Sequence, residues 1–152
     1  TDWEPDDHAW SSFVRLELRA NQPDRARGVY ERWVACHNVP RAWVKWAKFE
    51  ERQAETALAR AVYERAMQEL DERDHNEDFF THFAQFEERA KEMERARVIY
   101  KYALDTLPKS QAAEIYKKYV QFEKQHGDMH TCIHACTHTR ARAHTHIQVR
   151  AV

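Results

Sequence analysis

The sequence predicts an all-α protein, an α-α superhelix of about seven antiparallel helices with a disordered C-terminal tail. Three observations lead there. Turn formers are scarce, with two glycines and four prolines in 152 residues, while 32% of the chain is charged and helix formers abound. A triplet of large apolar residues spaced by three and ending in glutamate occurs four times. An Arg/Ala/Tyr motif occurs three times, always at the same distance from the triplet before it.

The first motif reads Trp10, Phe13, Leu16, Glu17, then Trp43, Trp46, Phe49, Glu50, then Phe80, Phe83, Phe86, Glu87, then Tyr116, Tyr119, Phe122, Glu123. Residues at i, i+3 and i+6 stay on one face of a 3.6-residue helix and form an apolar stripe. The second motif reads RARGVYERW (25–33), LARAVYERA (58–66) and RARVIYKYA (95–103), placing Arg27, Arg60 and Arg97 three residues before Tyr30, Tyr63 and Tyr100. Trp10 to Tyr30, Trp43 to Tyr63 and Phe80 to Tyr100 all span 20 residues, whereas the gaps between units are 13, 17 and 16. Constant spacing inside a unit and elastic spacing between units is the pattern of stacked helix pairs.

Each element has a local reason. Helices are expected over 6–20, 22–36, 40–52, 54–70, 76–90, 92–106 and 109–126. Pro23 and Pro40 suit first-turn positions, Ser110 can cap the Tyr116 helix, and Gly127 stands where a left-handed terminator is wanted. The polar stretch LDERDHNED (70–78) is a longer connector. Ala26, Ala59 and Ala96 admit close approach of the second helix of each unit. The units fall at about 6–36, 40–70 and 76–106, with a half unit at 109–126, making one solenoid over 1–126 and a tail over 127–152.

Two-helix units with these motifs resemble the half-a-TPR (HAT) repeat, a TPR-like solenoid. The wording of DRARGVYERWV, WVKWAKFEERQ, FAQFEERAKEMERARVIYKYALD and EIYKKYVQFEKQHGD is similar to the crooked neck-like pre-mRNA splicing factors. That resemblance covers about residues 3–128. It implies a nuclear scaffold of the spliceosome, with partners in the Prp19-associated complex. It also implies that the chain is a fragment of a longer protein, and Thr1 in place of Met points the same way. In such repeats Glu17, Glu50 and Glu87, with Arg27, Arg60 and Arg97, are structural.

Catalysis finds no support. No Gly-rich phosphate loop, HExxH or nucleophile elbow is present. The Glu/Arg pairs recur in every unit, whereas an active site is built once; they read as half-exposed ion pairs of small net energy. No cofactor is expected. Aromatics at helical spacing read as core rather than as base-stacking platforms. Cys36, beside His37, reads as a lone thiol near a helix end. Exposed cations such as Lys45, Lys48, Arg52, Arg89, Lys91, Lys117 and Lys118 are candidate partner contacts. RNA contact is possible but not indicated, because the net charge is −1 and the basic excess lies in the tail. No apolar run approaches the roughly 20 residues of a membrane span.

The tail packs His130, Cys132, His134, Cys136 and His138 into nine residues. A metal site is the obvious reading, yet alternation without two separated ligand pairs builds no preorganised zinc cage. Odd positions from 131 to 151 hold Thr, Ile, Ala and Val, and even positions hold His, Cys and Arg apart from Gln148. Alternating purine–pyrimidine codons translate into this pattern in any frame, so residues from about 129 onward read as a translated simple repeat. The unit constancy would place a tyrosine at 136, where Cys136 stands, so the last helix lacks its partner and self-association through that end is expected.

The expected function is therefore a non-catalytic protein–protein scaffold in spliceosome assembly. The alternative is an RNA-binding or scaffold HAT protein in mRNA 3′-end cleavage or ribosomal RNA processing.

Overall fold

The computed structural model describes residues 5–127; the metal and codon readings of the tail and the Cys136 position lie outside them. The described chain is all-α, with no strand among the described residues. Its helices are α1 (Asp7–Arg19), α2 (Pro23–Cys36), α3 (Pro40–Arg52), α4 (Thr56–Glu69), α5 (Glu77–Arg89), α6 (Met93–Thr106) and α7 (Ala113–His126). A 3₁₀ turn, Lys109–Gln111, precedes α7. Two compact units divide inside α5, one ending at Phe83 and the other starting at Ala84.

Helix starts follow local chemistry. Asp6 caps α1 by accepting a bond from the Ala9 N–H at 2.8 Å, and Asn76 does the same for the Phe79 N–H at 2.9 Å. Pro23 and Pro40 occupy first-turn positions of α2 and α3, where a missing N–H costs nothing. Ser110 does not cap α7. It lies in the 3₁₀ turn, and the residue before α7 is Ala112, without a side-chain cap.

The turn inside each full unit is a left-handed cap on a residue other than glycine. Asn21, Ala54 and Lys91 have φ of 54°, 61° and 65°. In each, the N–H of the next residue reaches back to the signature glutamate's carbonyl: Gln22 to Glu17 at 3.0 Å, Glu55 to Glu50 at 3.0 Å, Glu92 to Glu87 at 2.9 Å. The left-handed residues themselves bond to Leu18, Glu51 and Glu88. This is the Schellman pattern, built three times on the same register. Gly127, by contrast, is extended at φ −87°, ψ 151°. Its lack of a side chain serves close approach, because an added Cβ would lie 2.3 Å from a Glu123 carboxylate oxygen.

In the first unit the helices run antiparallel. The Trp33 indole N–H at the end of α2 donates to Asp7 at the start of α1 (3.2 Å), and Arg25 near the start of α2 meets Glu17 near the end of α1 (3.2 Å). Trp10 stacks on Trp33, and Tyr30 on both Trp33 and Trp46. Tyr63 stacks on Phe83 at 4.8 Å. The 70–78 connector is polar yet partly inside: Leu70 and His75 are buried, and the His75 ring lies along Phe79. In the compact unit that starts at Ala84, Tyr100 of α6 packs against Tyr119 and Phe122 of α7. Ala26, Ala59 and Ala96 are fully buried, which permits these approaches.

Candidate interaction interfaces

The signature residues sort by burial. Trp10, Tyr30, Trp43, Trp46, Phe49, Tyr63, Phe80, Phe83, Phe86, Tyr100, Tyr119 and Phe122 are all buried, and Tyr116 is partly so. Phe13 is the exception, 43% exposed, together with its neighbour Leu16.

The glutamates depart from expectation. Glu50, Glu87 and Glu123 are buried rather than half-exposed, and only Glu17 keeps appreciable contact with water. Each buried carboxylate needs compensation. Arg27 supplies it to Glu50 through a bidentate fork, Nε at 2.9 Å and Nη2 at 2.9 Å, and the Trp46 indole adds a bond at 3.1 Å. Arg97 grips Glu123 the same way, Nε at 2.7 Å and Nη2 at 3.3 Å. The arginine of one repeat thus serves the glutamate of the next. A second arginine, two residues earlier, turns to its own repeat: Arg25 to Glu17 and Arg95 to Glu87, both at 3.2 Å. Arg60 is part-exposed on α4.

Electrostatics follow the geometry. The Arg27 and Arg97 guanidinium pKa values are raised, chiefly by their bonds to Glu50 and Glu123. Burial pushes the Tyr30 and Tyr100 phenols up to about 12. The Tyr119 phenol is pushed higher, by burial first and then by its bond to Glu123.

Of the candidate contacts, Lys45, Lys48 and Arg52 lie on one face of α3. Arg41, which the sequence reading passed over, completes the row at spacings of four, three and four. Such spacing keeps four side chains within a narrow arc of helix surface, about 16 Å long. The spacing was the available signal, obscured by the stronger aromatic pattern interleaved with it. Arg41 pairs with Asp7 of α1. Lys45 bonds Ser11 at 3.1 Å and lies 4.9 Å from the Trp33 ring centre; desolvation, then Arg41, lowers its pKa. Lys48 approaches His82 at 3.3 Å, and Arg52 is exposed. Lys117 is held by Glu114 at 2.6 Å, and Lys118 is part-exposed on the same helix. Arg89 and Lys91 border an open depression with Gln85, Glu88, Met93 and His126. Cys36 is exposed.

Among the described residues no group of His, Cys, Asp and Glu is placed to hold a metal. No described helix is long and apolar enough to cross a membrane. No curated protein matches the chain. A family model described as the PRP39 C-terminal HAT repeat matches residues 4–124. The chain belongs to the HAT-repeat proteins, in the family of the PRP39 C-terminal repeats.

Proposed function

We propose that this chain is a non-catalytic protein-interaction scaffold acting in pre-mRNA splicing in the nucleus. The observation that carries the reading is the PRP39-type HAT match over residues 4–124. HAT solenoids are typically non-catalytic, and repeat solenoids offer extended surfaces to partners. The basic row Arg41, Lys45, Lys48 and Arg52 is the surface best suited to an acidic protein segment. RNA fits it less well, because the aromatics of α3, namely Trp43, Trp46 and Phe49, are buried and offer no stacking platform.

Two placements within splicing differ. The family match favours a PRP39-type factor, whereas the wording of the motifs favours a crooked neck-like factor with partners in the Prp19-associated complex. Pull-down from nuclear extract with residues 1–126 separates them. Recovery of Prp19-associated proteins supports the second placement, and recovery of other splicing proteins without them supports the first. Recovery should fall when Lys48 and Arg52 are both changed to Glu. RNA retained through a high-salt wash, with no splicing protein, would overturn the protein-scaffold reading in favour of RNA binding.

A further inference from the structure

Within the compact unit that ends at Phe83, α3 has its neighbours in place. On the face opposite the basic row, Trp46 stacks on Tyr30 of α2 at 6.3 Å, and Arg65 of α4 lies 5.4 Å from the Trp43 ring centre. At the row itself, α1 reaches α3 through the bond from Lys45 to Ser11 at 3.1 Å, and α5 through the approach of Lys48 to His82 at 3.3 Å. Further repeats extend a solenoid at its ends, so they leave the row Arg41, Lys45, Lys48 and Arg52 open. Arg41 and Arg52 are exposed, and Lys45 and Lys48 part-exposed.

The two lysines are tethered and the two arginines reach outward. Lys45 is fixed by Ser11 and by the Trp33 ring at 4.9 Å, and Lys48 by His82. Side chains fixed in advance lose little freedom when a partner pairs with them, so the centre of the row carries affinity. Arg41, though paired with Asp7, keeps 69% of its side chain in water. On α1, Arg15 and Arg19 hold the places that Lys48 and Arg52 hold on α3, five and nine residues after the unit's first tryptophan, and both are exposed. They widen the positive field. Asp7, engaged by Arg41 and Trp33, and Asp78, 3.6 Å from His82, temper it.

We propose that this row is the docking site for an acidic helix of a partner protein, lying along α3 with carboxylates at i, i+4, i+7 and i+11. The inference rests on the scaffold reading above and specifies the segment that the row takes. Spacing makes the choice. Successive cations step about 6, 4.5 and 6 Å along α3, and acids at i, i+4, i+7 and i+11 of a second helix step by the same amounts. Alternate residues of an extended strand step about 6.7 Å each and fall about 4 Å out of register over the row. A single phosphorylated side chain needs donors that converge, whereas these are strung out, each held by a different neighbour. Single-stranded RNA finds no stacking ring on α3, where Trp43, Trp46 and Phe49 are buried.

The probe is a helix-stabilised peptide with glutamates at i, i+4, i+7 and i+11 on an alanine–glutamine background. It is titrated into the full chain at low salt and followed by amide chemical shifts. A control of identical composition has its glutamates distributed around the helix. Saturable shifts on α3 are expected, with the register peptide binding about fivefold more tightly than the control and weakening as salt rises. Lys48→Glu or Arg52→Glu should each weaken binding by about fivefold. One of the four peptides with a single glutamate changed to lysine should recover the loss, and the one that does so fixes the direction of the docked helix. Arg52 is exposed, so Arg52→Glu should leave helical circular dichroism unchanged and keeps the test valid where Lys48→Glu disturbs packing on His82. Equal affinity for the control, shifts that avoid α3, or tighter binding of the same peptide left unstabilised would overturn the proposal. Tighter binding of a uridine-only RNA oligonucleotide at matched salt would overturn it as well. Failure of the register alone leaves the pull-down above intact, whereas failure of the scaffold reading shows there as no splicing protein recovered.

Discussion

Ala54 holds φ at 61° with a methyl group attached, a conformation that costs a non-glycine residue about 1–2 kcal/mol. Glycine removes that strain but widens the unfolded ensemble, an opposing effect of about 0.4–1 kcal/mol. Ala54→Gly should therefore stabilise the protein by about 0.5–1 kcal/mol in urea unfolding; destabilisation would show that the Ala54 methyl makes a contact worth more than the strain. Glu50 gives the opposite sign. Removing a partner from a buried ion pair costs about 3–5 kcal/mol, but Arg27 keeps a quarter of its side chain in water, so Glu50→Ala should cost about 2–3 kcal/mol. Glu17→Ala, removing a pair whose arginine is mostly solvated, should cost less than about 1 kcal/mol. Equal losses at the two sites would contradict the burial difference between them.

At the level of the helices, periodicity made most of the architecture legible. Apolar residues at i, i+3 and i+6 specify a helix and its buried face together, and two prolines mark two starts. The partner of each glutamate was not legible, because sequence spacing alone favours the nearer arginine. Only the antiparallel packing of α2 on α3 and of α6 on α7 carries Arg27 and Arg97 across to the next repeat. Turn chemistry was also hidden. The left-handed caps fall on Asn21, whose side chain suits them, and on Ala54 and Lys91, where the hydrogen bonds to Glu50 and Glu87 override residue preference. Gly127 shows the converse, a glycine selected by crowding rather than by φ. Gly127→Ala should crowd both the carboxylate and the backbone carbonyl of Glu123, forcing the backbone at the end of α7 to shift and destabilising it by on the order of 1–3 kcal/mol, read as faster amide exchange there.

For the molecule as a whole, the buried phenols predict its response to alkali. Tyr30 and Tyr100 ionise near 12 when folded and near 10 when unfolded, so the folded state binds their protons more tightly. Their contribution is fully present below about pH 10 and is lost as pH rises through about 12. Urea midpoints should hold steady up to about pH 9.5 and then fall, with tyrosinate absorbance rising alongside unfolding. A steady midpoint through pH 12 would mean that these rings are hydrated in the native state. The small net charge was a poor guide to the surface, since it averages over the Arg41–Arg52 row and the acids elsewhere. A sum over residues carries no information about which face they share.

The two arginines of each RAR triplet divide their duties, one inward to its own repeat and one onward to the next. In a chain built this way the first helix of a unit ends on the acceptor that its predecessor's donor requires, as Glu50 does for Arg27 and Glu123 for Arg97. Duplicating a unit bounded by such joints leaves its onward donor and its acceptor matched, whereas a cut inside it orphans a buried carboxylate. Such a chain can lengthen by unequal recombination without redesign at the seams.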